Sequence, residues 1–126
     1  MKKIILVALL LTSISALAAN WVYFAQGAND NAKYYYDSTN LSGRTVGDDG
    51  YWTWVDIVYP TTQIVEGRYY DEQKAQWVYD CHGNTRIDDA IFYYNGSVVY
   101  QRTGTGTSQG VIPGSIGESL KDILCE

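Results

Sequence analysis

The side chains with the most chemical potential stand in the middle and at the end of the chain. Cys81 and His82 are adjacent, and the second cysteine, Cys125, is the last residue but one. The imidazole could serve a serine nucleophile as base, or join the thiols as metal ligands; beside a paired cysteine it reads instead as a surface residue. Hydrolysis by a serine would need a carboxylate to orient the single histidine. The one G-x-S-x-G string, "GTSQG" (106–110), falls in a predicted loop and lacks the strand-to-helix turn that makes such a serine a nucleophile. Two cysteines and one histidine cannot make a zinc site once the cysteines are paired. Asp48-Asp49 and Asp88-Asp89 are adjacent carboxylates, and neighbours on a strand point to opposite faces, so neither reads as an acid–base couple. The "GDDG" turn around Asp48-Asp49 lacks the alternating oxygen ligands of a calcium loop. "TGTGTSQG" (103–110) has glycines without the strand-to-helix setting of a phosphate cradle. The expectation is a chain without catalytic residues, cofactor or metal.

The first residues explain how the thiols should behave. "MKKIILVALLLTSISALAAN" joins a basic start, an apolar run and a small-x-small site at Ala16-Leu17-Ala18. This is the pattern of a secretory signal peptide over residues 1–19. The apolar run falls short of the ~20 residues a membrane-spanning helix needs. Ala19 and Asn20, not a cysteine, stand directly after the cleavage site, so no lipid attachment is expected there. Residues 20–126 then form one small exported domain, either periplasmic or at the cell surface. In an oxidising compartment Cys81 and Cys125 are expected to pair. A closed loop of about 45 residues would restrict the unfolded chain by about 4 kcal/mol.

Composition narrows the partners. The chain has 9 basic and 14 acidic residues. Setting aside Lys2 and Lys3 leaves a net charge of about −7, which repels nucleic acid and anionic lipid. The aromatic residues are 12 Tyr, 4 Trp and 2 Phe, all beyond the signal segment. Tyr and Trp suit half-buried, pleated surfaces.

Short aromatic and β-branched runs broken by Gly, Asn, Asp and Pro predict six or seven strands, at 21–27, 33–37, 51–59, 63–70, 75–82, 89–95 and 97–102. Asn95-Gly96 reads as a type I′ hairpin turn, Pro60-Thr61-Thr62 as a second turn, and 42–50 and 103–110 as loops. Only "PGSIGESLKDILCE" has helical character. Ser115 and Glu118 make an S-x-x-E capping box. Ile116, Leu120, Ile123 and Leu124 form one apolar stripe. Cys125 falls opposite that stripe, so the helix should end near Leu124. Strand alternation puts Cys81 with Tyr79 and Trp77, and the helix should lie over that face. The fold expected is α+β and mostly β. It is an antiparallel, curved sheet of six or seven strands with one disulfide-tethered C-terminal helix. One helix cannot cover such a sheet, although "YWTWVDIVY" is apolar on both faces. Tyr35, Trp52 and Trp54 are therefore the expected contact residues of an aromatic face left to a partner protein or to a second copy of the chain.

The chain resembles the surface-adhesin protein E family. The likeness rests on "WVYFAQG", on "KYYYDSTNL" with Asp37, and on "WVYDCHGNTR" with Asp80, Cys81 and Arg86. It extends through "YYNGSVVYQ" to the closing "IPGSIGESLKDILC". The resemblance implies an antiparallel sheet with a disulfide-fastened helix. It also implies a non-enzymatic role at the bacterial surface, with host extracellular-matrix or plasma proteins such as vitronectin and laminin as partners. Asp37, Asp80 and Arg86 match the family pattern and are expected to form an ion pair or to cap turns. The contrasting expectation is a periplasmic accessory protein whose aromatic face is buried in a homodimer.

Overall fold

The computed structural model describes residues 19–40 and 50–125. Residues 1–18 of the signal segment and Asp48-Asp49 lie outside the described residues. Seven strands follow in chain order: β1 (Trp21–Gln26), β2 (Lys33–Asp37), β3 (Tyr51–Val65), β4 (Arg68–Tyr79), β5 (Asn84–Tyr94), β6 (Ser97–Arg102) and β7 (Gln109–Gly110). One helix, α1 (Ile116–Leu124), closes the chain. The sheet is an antiparallel meander in the order β1-β2-β3-β4-β5-β6, and β7 pairs with β5. This is the expected mostly-β fold with its C-terminal helix.

Two tight turns show how sequence sets register. Asn95 and Gly96 have φ of 50° and 84°, as a type I′ turn requires. Glu66 and Gly67 do the same at 48° and 73°, between β3 and β4. The predicted turn at Pro60-Thr61-Thr62 is not where the chain reverses. β3 runs on through these residues, with a register shift between Val58 and Gln63. A bulge accommodates a proline because its missing N–H is no loss there. The predicted strand 63–70 is thus the tip of a long hairpin. Likewise β5 begins at Asn84, well before the predicted 89, and the 103–110 loop contains the short β7.

Cys81 was expected on a strand. The strand instead ends at Tyr79, and Cys81 adopts φ of 61° in the turn beyond it. Asp80 explains the break. Its Oδ1 accepts the His82 and Asn84 backbone N–H groups at 2.8 and 3.0 Å, and its Oδ2 accepts Asn84 Nδ2 at 2.8 Å. These bonds, led by the Asn84 side chain, hold the Asp80 carboxyl below its ordinary pKa. The turn carries Cys81 to the helix side, where it bonds to Cys125 across a Cα–Cα distance of 5.6 Å.

The helix is capped and sealed by its own residues. Ser115 Oγ accepts the Glu118 N–H at 3.2 Å, and Glu118 Oε1 accepts the Gly114 N–H at 3.0 Å. Cys125 is the C-cap, its N–H bonded to the Lys121 carbonyl. Leu120 and Leu124 are buried against Ala32, Val55, Ile57 and Tyr79. The Tyr79 hydroxyl donates to the Gly117 carbonyl at 2.8 Å, a second tether that pattern reading did not reveal.

Breaking the bridge should therefore be costly but local. Cys125→Ser is expected to lower stability by about 4 kcal/mol, the loop-closure value for a separation of 44 residues. Denaturant unfolding of oxidised wild type and variant checks this, and equal midpoints would refute it. Asp80→Ala should cost about 1 kcal/mol, typical of a lost cap. Its signature would be faster amide exchange at His82 and Asn84.

Candidate functional site

Alternation along β3 divides its side chains between two surfaces. Tyr51, Thr53, Val55 and Ile57 face the helix, and Trp52, Trp54, Asp56 and Val58 face the other way. The registers carry this second face across the sheet. Asp56 opposes Tyr35 on β2 and Lys74 on β4. Tyr35 opposes Tyr23 on β1, and Asp37 opposes Trp21. Glu72 opposes Tyr93 on β5. Among the described residues, no helix packs over these positions. Tyr23 and Val58 are exposed.

The structure places Tyr35, Trp52 and Trp54 together on this open face, all three half-buried. Trp54 also lines a hollow of about 110 Å³ with Asp89, Ile91 and Arg102. Four further members of the face were missed in the sequence: Trp21, Lys74, Glu72 and Tyr93. The signal existed in the alternation of β1, β4 and β5, but it becomes usable only once the bulges and registers are known. The bulges between Ala75 and Trp77 and between Tyr23 and Ala25 shift that alternation.

The remaining named residues sit in the framework. The Asp37 carboxylate is buried and accepts the Thr39 N–H at 3.0 Å, and the Asp37 carbonyl accepts the Thr53 hydroxyl at 3.1 Å. Arg86 pairs with Asp88 at 2.9 Å rather than with Asp37 or Asp80. Asp88 also accepts the Gly106 N–H, and Asp89 the Gly104 N–H, so this carboxylate pair pins the 103–108 loop. Gly106 allows that approach, because a Cβ there would collide with the Ile87 carbonyl. His82 is exposed. No group of three or more His, Cys, Asp or Glu among the described residues is placed to hold a metal ion. No helix among them is long and apolar enough to cross a membrane.

At the centre of the open face lies a charge that pattern reading also missed. Asp56 is only 8% exposed, and its Oδ1 finds no hydrogen-bond donor. Burial pushes its carboxyl up to about 7, helped by a hydrogen bond with the Glu72 carboxyl and by the Glu72 charge; Lys74 opposes the shift. The Lys74 ammonium makes no ion pair with Asp56 among the described residues. It lies 5.6 Å from the Trp21 ring centroid and 4.9 Å from that of Tyr93. Both are cation–π distances.

Linkage gives the sign. The folded state holds the Asp56 proton more tightly than the unfolded state does. Its contribution to stability is therefore full at low pH and is lost as pH rises through about 7. Asp56→Asn should flatten this slope. At pH 8 it should gain about 1–3 kcal/mol, the scale of an unsatisfied buried polar group. Denaturant unfolding at pH 5 and pH 8 measures it, and an unchanged slope would exclude a buried, proton-holding Asp56.

No curated protein and no solved structure matches the chain. The model of one family does, over residues 21–126. That span includes all seven strands, both cysteines and the helix. By that match, the chain belongs to the surface-adhesin protein E family.

Proposed function

We propose that this protein is an exported, non-enzymatic adhesin-like module that binds other proteins through the open face of its sheet. The observation that carries the reading is the asymmetry of the two faces. One is sealed by α1 and the Cys81–Cys125 bridge. The other presents Tyr23, Tyr35, Trp52 and Trp54 with no helix over them among the described residues. Aromatic side chains supply large contact area at low entropic cost and dominate binding hot spots. Family membership supports an exported, surface-adhesin-like role. In this reading residues 1–19 are removed on export and residues 20–126 act as one domain. Extracellular-matrix proteins are the partners the family suggests.

The test is capture of purified vitronectin and laminin by the oxidised domain. Wild type should bind at least one of them. A Trp52→Ala, Trp54→Ala double variant should lose about tenfold or more in affinity, since 1.4 kcal/mol from a hot-spot pair suffices. No capture by folded wild type would reject these partners. Light scattering tests the competing homodimer: a tight dimer that protects Trp52 and Trp54 from acrylamide quenching would replace an external partner with a second copy.

A further inference from the structure

Lys74 stands on β4, and Trp21 stands on β1, three strands away. At ~4.8 Å per strand that separation is about 14 Å, so both long side chains must reach across β2 and β3 to meet. They do meet, and Tyr93 approaches the same ammonium from β5. Two rings of the same face, one from β1 and one from β5, thus flank one point. That point is already occupied by a cation belonging to the chain itself.

A competing site for that cation lies directly beneath. Asp56 opposes Lys74 in the β3–β4 register, and directly opposed side chains have Cβ atoms about 4.5–5.5 Å apart. A carboxylate at that range would ordinarily draw the ammonium. The rings hold it instead, and Asp56 Oδ1 is left without a donor. This arrangement is consistent when Asp56 is neutral. The Lys74 ammonium then gains nothing by leaving the rings.

We propose that Trp21 and Tyr93 form an ammonium-binding subsite of the open face, filled by Lys74 while Asp56 is protonated and vacated for a partner's lysine or arginine when Asp56 ionises and draws Lys74 down. The other charged and titratable groups facing Asp56 are few. β2 contributes Lys33, Tyr35 and Asp37, β4 contributes Glu72, β1 contributes Tyr23, and β5 contributes Tyr93 and, further along, Arg86. Of the cations, Lys74 alone is directly opposite Asp56. Ionisation with a midpoint near pH 7 places the exchange within the range of extracellular fluids. The pairing of this subsite with a protein partner rests on the proposed function. The exchange itself does not.

Two measurements on the full oxidised domain test the subsite without a protein partner. In wild type, the Lys74 ε-methylene protons should be shifted upfield by ring currents at pH 5 and should move toward the free-lysine position at pH 8. Asp56→Asn should keep the upfield shift at both pH values, and Glu72→Gln should lower the pH at which it is lost. Identical Lys74 shifts at pH 5 and pH 8 in wild type would overturn the exchange. In Lys74→Met the subsite is emptied at any pH. Tetramethylammonium should then perturb the Trp21 and Tyr93 ring resonances, and should not do so in wild type at pH 5. No perturbation in a folded Lys74→Met variant would overturn the ammonium subsite. A positive result here, with no capture of matrix proteins, would leave the subsite standing and reject only those partners.

Discussion

A nine-residue helix cannot roof this sheet. At 1.5 Å per residue α1 is about 13 Å long, whereas six neighbouring strands span about 25 Å. The molecule resolves the mismatch by committing the helix to one face. Leu120 and Leu124 cover the Val55, Ile57 and Tyr79 region, and the disulfide and the Tyr79 hydroxyl hold them there. The far half of the same face is closed by aromatic packing instead. Phe92 is buried between Tyr70 and Tyr100, with ring centroids at 4.9 and 5.8 Å, and Tyr59 continues the row from Tyr70 at 5.5 Å. Arg68 lies over Tyr100 at 5.7 Å.

That commitment defines the opposite face. There, among the described residues, no helix packs over the large side chains, and Tyr23 and Val58 are exposed. Lys74 and Trp21 partly cover this surface by reaching across it. Asp56, flanked in register by Tyr35 and Lys74, is a buried acid rather than a surface one. Fold and electrostatics meet on this face: among the described residues, Asp56 is the acid raised to about 7, and it lies on the same face as Trp52 and Trp54. In a chain with excess negative charge, a neutral Asp56 beside Glu72 removes a repulsion that two carboxylates would otherwise impose.

Much of this fold is legible in the sequence. The S-x-x-E box and the Leu120/Leu124 stripe define the helix, Asn95-Gly96 defines a turn, and an exported chain with two cysteines implies their pairing. Alternation in "YWTWVDIVY" separates Trp52 and Trp54 from Val55 and Ile57. The failures share one cause, which is local irregularity in strands. Pro60 marks a bulge rather than a reversal, and Glu66-Gly67 reverses the chain although Glu at positive φ is uncommon. Asp80 ends a strand early by capping a turn, so Cys81 reaches the helix from a bend. Arg86 is two residues from Asp88 on one strand, and this local pair prevails over the longer-range pairings open to it. The Asp56–Lys74 relation needs a register between strands that local pattern does not supply.

The account depends on one face being sealed and the other open in solution. Hydroxyl-radical footprinting of the oxidised protein, read residue by residue, measures this directly. Tyr23 and Val58 should be modified readily, while Tyr79 and Val55 stay protected and become reactive once the disulfide is reduced. Equal protection of Tyr23 and Tyr79 in the oxidised monomer would show that both faces are covered, and the account would fail.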